Sequence, residues 1–276
     1  MSKTAGCRGG AMEKQRPLVL VTNDDGIASP GLKAAVRGVL KYADVIVAAP
    51  CRQQTGMGRA FPRTEDLGII EEVPYEVDHF QVPAYAIHGS PAYAAAYGIL
   101  ELSPRKPDLC VSGINYGENL GMTLTCSGTL GAAFEASSQK VPAVAVSVQA
   151  DLSIQRSEDF QEYDWTVPQA VVEKWAGWAL KNLGRDGMDV LNINIPAGIQ
   201  DAEKYRITTQ SRQNYFEFCA PGDRDRTKPY ELQARKCVNE ELLERDSDIY
   251  AVYKERIISV TALSTVMSLP VDKVKI

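Results

Sequence analysis

The sequence predicts an α/β protein: a Rossmann-like, doubly wound, mostly parallel sheet core with a C-terminal β-hairpin arm used in oligomerisation. Three observations predict it. Short apolar runs such as Leu18–Val21, Val45–Ala49 and Ala143–Val148 are bounded by Gly, Pro, Asn and Asp, as buried strands are. Between them lie stretches whose apolar residues return every three or four positions, the period of an amphipathic helix. Beyond residue 200 apolar and polar residues alternate instead, the pattern of strands with one wet face. The chain accordingly divides into residues 1–16, a disordered N-terminal extension, residues 17–200, the α/β core that carries the chemistry, and residues 201–276. That last part is read as an arm and return segment packing on the core and a neighbouring subunit.

Composition narrows the function. With 276 residues, 45% hydrophobic and 24% charged, the chain is long enough for one large core. Its net charge of −5 offers no broad attraction to a nucleic-acid duplex or an anionic membrane, so an anionic substrate needs local positive charge. Six cysteines without a C-x-x-C pair, and two histidines, argue against zinc. The first 16 residues lack the apolar stretch of a secretory signal, no run is as long as a membrane span, and Met12 is an alternative start. A reducing cytoplasm is the expected setting.

The first strand, Leu18–Val21, runs into Thr22-Asn23-Asp24-Asp25-Gly26. Adjacent side chains on an extended strand face opposite ways, so the two acids meet only if the chain turns there, which Gly26 permits. Taken alone, Asn-Asp-Asp-Gly is an ordinary turn. At the end of a buried strand, though, Asp24 and Asp25 are an acid pair that needs neutralising. A divalent cation with oxygen ligands, Mg²⁺ or Mn²⁺, does that most simply. Pro30 then opens a helix whose apolar face is Leu32, Ala35, Val36, Val39 and Leu40, and Asp44–Pro50 returns as a second strand.

The loop Cys51–Arg63 follows. Thr55 stands at the edge of the same crevice, although a Thr-Gly pair is most often just a turn. Residues 64–83 read as a peripheral hairpin or loop, and Tyr85–His88 as a short strand leading through Ser90-Pro91 into the helix Ala92–Leu100. His88, a single histidine before a turn, is left out of the catalytic set. Around Pro107–Gly121 an apolar strand enters a loop with Gly113, Gly117 and Gly121, and with Asn115 and Asn119. Ser127-Gly128-Thr129 then starts a helix of small residues, whose free N–H groups and dipole suit a phosphate, even though Ser and Thr also cap helices for stability alone.

Val141–Val148 is a further strand, Trp165–Leu183 a helix with its tryptophans in the core, and Val190–Pro196 the expected close of the sheet. Tyr205–Thr209 and Tyr215–Phe218 read as strands of the arm, and Ile257–Thr261 as the return strand.

With these motifs in view, the chain resembles the survival protein E (SurE) family of metal-dependent 5′-nucleotidases and phosphatases, from about Leu18 to Leu263. The resemblance rests on Val21–Gly26, Val111–Gly121 and Ser127–Ala133, supported by Ser259–Leu263. It implies one divalent metal ion per subunit, Mg²⁺ or Mn²⁺, on Asp24, Asp25, Thr55 and Asn115, with phosphate contacts from Asn119 and Ser127. Gly128 and Thr129 complete the expected phosphate site. Two residues depart from the family pattern, Thr55 where a Ser is usual and Tyr93 where an Asp is usual.

The resulting expectation is hydrolysis of nucleoside monophosphates or other small phosphomonoesters, with Asp24, Asp25, Asn119 and Ser127 catalytic, by a homodimer or homotetramer. The alternative is a metal-dependent nucleotide-binding protein with little or no turnover, for which Thr55 and Tyr93 would be the marks of drift.

Overall fold

The computed structural model describes residues 15–155, 157–268 and 273. The extension expected over residues 1–16 therefore lies, as far as residue 14, outside the described residues. The strands are β1 Leu18–Thr22, β2 Asp44–Pro50, β3 Ile70–Glu72, β4 Glu76–Val77, β5 Phe80–Gln81, β6 Ala84–Ile87, β7 Leu109–Tyr116, β8 Ala143–Val148, β9 Val190–Ile195, β10 Tyr205–Thr208, β11 Phe216–Phe218, β12 Ala234–Lys236 and β13 Ile258–Leu263. The α-helices are α1 Pro30–Leu40, α2 Pro91–Tyr97, α3 Gly128–Ser138 and α4 Thr166–Asn182.

Nine strands form one sheet in the order β10-β13-β9-β8-β7-β1-β2-β6-β3. From β6 to β9 every neighbouring pair is parallel. Strand β1 shows why the sheet is covered on both sides. Its residues are all buried and alternate in direction, Val19 and Val21 packing into the layer of α1 and α4, Leu18 and Leu20 into a second cluster with Leu130 and Ala133 of α3. Helices α1 and α4 pack together, as do α2 and α3, which completes the doubly wound arrangement.

Within the parallel part, chain order runs outward from β1 through β2 and β6 on one side, and through β7, β8 and β9 on the other. Order reverses between β1 and β7, and the loops leaving their C-terminal ends diverge there to open a crevice.

The sheet continues past β9. Strand β13 pairs antiparallel with β9, and β10 pairs parallel with β13, so Tyr205–Thr208 is an edge strand of the main sheet instead of part of the arm. Its outward face explains the misreading: Tyr205 and Ile207 are exposed while Thr208 is buried, an alternation that an edge strand and a projecting hairpin share. The projecting hairpin is β11 paired with β12. Its root is held by a small cluster of Leu120, Tyr215, Leu243, Ile249 and Val252, which ties it to the loop after β7. Residues 64–83 also divide: β3 joins the far sheet edge antiparallel to β6, and β4 with β5 makes a separate two-stranded hairpin. Among the described residues, no helix is long and apolar enough to cross a membrane.

Candidate active site

The turn after β1 is built by Asn23, whose side chain accepts from Gly26 N (3.2 Å) and donates to Gly26 O (3.0 Å). Gly26 sits at φ +98°, where a side chain would be strained. Two further bonds fix the turn against β2 and its loop, Ile27 N to Pro50 O (2.8 Å) and Gln54 N to Asp24 O (2.7 Å). The expected reversal of the chain is present, and it places both acids beyond the strand end.

Asp24 and Asp25 are each only 2% exposed. Asp24 Oδ1 accepts from Thr129 Oγ1 (2.6 Å), and Asp25 Oδ2 from Tyr116 N (3.1 Å). Asp25 Oδ1 is buried and has no hydrogen-bond partner among the described residues. Burial lifts the Asp24 carboxyl to about 6, against the pull of the Thr129 hydroxyl. Burial first, and then the neighbouring Asp24 charge, hold Asp25 well above the carboxylate range. Among the described residues, the groups acting on the two acids include no positive side chain.

Gly128 is required here by close approach. A Cβ at that position would stand 2.7 Å from Asp24 Cβ and 2.8 Å from Asp24 Oδ2, so the first turn of α3 rests directly against the carboxylate. Ser127 caps α3 by accepting from Leu130 N (3.2 Å). The loop carrying Thr55 is clamped to the same helix, since Gly58 N donates to Cys126 O (3.1 Å) and a Cβ on Gly131 would meet Gly58 O at 2.0 Å.

Asn115, expected in a loop, stands near the end of β7. Gly113 pairs with Val146 and Asn115 with Ser147, so β7 carries one extra residue between them. Such a bulge re-aims the side chains after it, and it breaks the period-two pattern by which a strand is recognised. Asn115 Nδ2 donates to Gly117 O (2.6 Å), which leaves the amide oxygen as its accepting end. Asn119 is bracketed: its N–H donates to Asn194 Oδ1 (2.7 Å), its Nδ2 to Ser147 Oγ (2.9 Å), and its carbonyl accepts from Asn192 Nδ2 (2.9 Å) and Asn194 Nδ2 (3.0 Å).

Asp24, Thr55, Asn115, Asn119 and Ser127 line a single cleft of about 630 Å³. Asp25, Gly128 and Thr129 are not on its wall; their contacts to Tyr116 and Asp24 place them behind it. Thr55 Oγ1 donates to Gln155 O (3.1 Å), so its oxygen keeps lone pairs for another partner. Tyr93 lies away from the cleft wall, edge-on to Phe61 and stacked near Tyr97, where it fills space. His88 bonds Asp66 and Glu71.

Could these residues hold a cation? Among the described residues there is no group of three or more His, Cys, Asp or Glu suited to a metal. The donors gathered here are two carboxylates, an amide oxygen and a hydroxyl. That is the oxygen-only set of a hard divalent ion, and the orphaned Asp25 oxygen fits it: a buried carboxylate beside a second one is costly unless positive charge is supplied.

Sequence reasoning missed the bracket around Asn119, namely Ser147, Asn192 and Asn194. The signal was there: Asn192 and Asn194 are two residues apart in an otherwise apolar buried strand, so both point to one face with amides that need partners.

The pattern of the family described as survival protein SurE matches residues 19–217. A curated relative from Methanosarcina mazei, called 5′-nucleotidase SurE, is 37% identical over 253 residues, covering 90% of this chain and 92% of its own. Another of the same name, from Methanothrix thermoacetophila, is 38% identical over 259 residues, covering 92% and 95%. The crystal structure of a SurE protein from Aquifex aeolicus matches with a TM-score of 0.68 at 26% identity, over 91% of this chain and 95% of that one.

Proposed function

The chain belongs to the SurE family, and from that membership we propose that it is a phosphatase of the 5′-nucleotidase type, dependent on a divalent metal ion. The observation that carries the metal dependence is Asp25 Oδ1, a buried carboxylate oxygen with no partner, next to a second buried acid on the cleft wall. Asp24, Asp25, Thr55 and Asn115 would hold Mg²⁺ or Mn²⁺. What such an ion supplies is neutralisation of phosphoryl charge and activation of water.

The protein's own groups do the rest. The phosphoryl group would lie against Ser127 at the start of α3, where the helix dipole favours negative charge, while the hydroxyl and N–H of Thr129 act on Asp24 behind it. Ser127 Oγ spends its accepting side on Leu130 N and keeps its hydrogen for a phosphoryl oxygen. Asn119, fixed by Ser147 and Asn194, holds its part of the loop still while charge shifts in the transition state. A water oxygen bonds to phosphorus as the ester bond breaks, and the proton that water loses passes through Asp24, the acid on the cleft wall, to the leaving alkoxide. The expected substrates are nucleoside monophosphates.

The test is phosphate release from 5′-AMP by the full chain in Mn²⁺, in Mg²⁺ and in chelator, with Asp24→Asn alongside. Release that needs the metal and disappears in the variant supports the reading. Release indifferent to chelator overturns the metal dependence. No release from folded protein that binds metal and AMP would favour the nucleotide-binding alternative.

The same proposal includes a cytoplasmic setting, checked by cell fractionation, and assembly into a homodimer or homotetramer through the arm. Excision from Lys204 to Arg245 would also strip β10 from the sheet, so the sharper variant replaces only residues 220–232 by a short Gly-Ser turn. An unchanged mass by light scattering would remove the arm from the assembly.

A further inference from the structure

The cleft has a second end that phosphate chemistry does not use. In the arm, Phe216 pairs with Lys236, Glu217 with Arg235 and Phe218 with Ala234. Side chains alternate along each strand, so Phe216, Phe218, Ala234 and Lys236 share one face, and Glu217 and Arg235 lie on the other. The second face is closed on itself, since Arg235 donates twice to Glu217 Oε1, at 2.9 and 2.7 Å. The first face supplies Phe216, Phe218 and Ala234 to the same cleft wall as Asp24, Asn115 and Ser127, and Glu217, Glu231 and Gln233 stand at its polar margin.

This face is also held in register with the phosphate end. Lys236 Nζ lies 3.4 Å from Oε1 of Glu118, whose side chain is fully buried, and 4.6 Å from the centre of the Tyr215 ring. Glu118 belongs to the loop between Asn115 and Asn119, and it accepts from Ala150 N (3.2 Å) as well. The arm is thus anchored at its root to the residues that face the phosphate. Further out, Phe218 is 67% exposed and Leu232 42%, two apolar side chains on the cleft wall.

We propose that this face is the nucleobase subsite: Phe218, backed by Phe216 and Leu232, stacks on the base of a nucleoside monophosphate whose phosphate lies at Ser127. The assignment rests on the phosphatase reading above and adds to it the element that recognises the nucleoside. A volume of about 630 Å³ falls within the usual range for a site that encloses a small organic ligand. Stacking needs only a π-face, which every base has, so the arm accepts all bases and favours purines by their larger area.

The test compares 5′-AMP with ribose 5-phosphate, which keeps the sugar and phosphate and lacks the base. In Phe218→Ala the ratio of kcat/KM for AMP to that for ribose 5-phosphate should fall about tenfold, the effect of losing one base–aromatic stack. Phe218→Trp should restore it. Cys219→Ser, on the opposite face of the arm, should leave the ratio where it was. A ratio within about twofold of wild type in Phe218→Ala overturns the subsite. Should wild type release phosphate from neither substrate, the hydrolase reading fails by itself, and calorimetric titration of both ligands in Mn²⁺ decides the subsite. Selective loss of AMP binding in Phe218→Ala then supports it, and an equal loss of both, or no loss, overturns it.

Discussion

Two pairs of carboxylates lie near the C-terminal ends of parallel strands in this sheet, and among the described residues only one pair has its counter-charge. After β6, His88 sits between Asp66 (3.0 Å) and Glu71 (2.6 Å), one imidazole serving two acids. After β1, Asp24 and Asp25 are buried together, and the groups acting on them are a hydroxyl, backbone amides and each other. The first arrangement is complete and exposed, and a complete ion cluster at a surface fastens one segment to another. The second is incomplete and buried, and it persists only because the turn at Gly26, the bulge in β7 and the close approach of Gly128 leave the acids no way out. A buried acid pair without a counter-charge is what the proposed metal-dependent chemistry would keep, and a satisfied exposed cluster needs no such explanation.

The strongest way to break this comparison is Asp25→Asn. If the acid pair is kept for chemistry at the expense of stability, activity falls by about 10³-fold while the metal-free protein gains stability. The gain comes from replacing a buried like charge with a neutral amide, which costs less when unpaired. About 1–3 kcal/mol is expected, a rise of several degrees in Tm for a chain of this size. Calorimetry in chelator reads it, and a lower Tm for the variant would mean that the acids are structural after all.

Next in size is Gly128→Ala. The added methyl must displace Asp24 or lift α3, so activity should drop roughly 10²-fold with a stability loss of about 1–3 kcal/mol. Activity that survives would show that the helix start is not fitted to the carboxylate. Smaller again is Asn194→Ala, which frees the Asn119 backbone without touching the cleft wall. A loss of about tenfold in kcat is expected, of the size seen when a supporting residue behind a site is removed. An unchanged kcat would mean the bracket around Asn119 is not needed for turnover.

What the sequence made legible follows from how local each signal is. The parallel core could be read because β1, β2, β8 and β9 are short, largely apolar runs, and Pro30, Ser90 with Pro91, and Ser127 mark three helix starts by their own chemistry. The acid pair was visible for the same reason: its meaning depends on one turn. Three features were hidden because they depend on distant partners. Tyr205–Thr208 joins the sheet only through β13, some fifty residues later. Asn115 is aimed by a bulge defined against β8. Asn192 and Asn194 acquire a role only when Asn119 is folded over them.

The smallest expected effect belongs to the completed cluster, and it carries a sign. Hydrogen bonding to Asp66, then to Glu71, raises the His88 pKa, so this contribution is present in full below the ordinary imidazole value and is lost as pH rises through the raised one. Hydrogen bonding from His88 lowers Asp66 to about 2, so its contribution is present above the ordinary carboxylate value and is lost as pH falls through about 2. The two overlap in mildly acidic solution. There the cluster, with Gly68 N donating to His88 O (3.0 Å) and His88 N to Ile69 O (2.9 Å), holds the segment before β3 against β6. His88→Gln should therefore lower Tm by only about 2 °C near pH 5, because the groups are exposed and screened, and by less at pH 9. Phosphatase activity should not change with it. A His88→Gln variant whose Tm deficit grew with pH would reverse the sign and show that the histidine is held neutral, in which case the two carboxylate pairs would be alike in lacking a counter-charge.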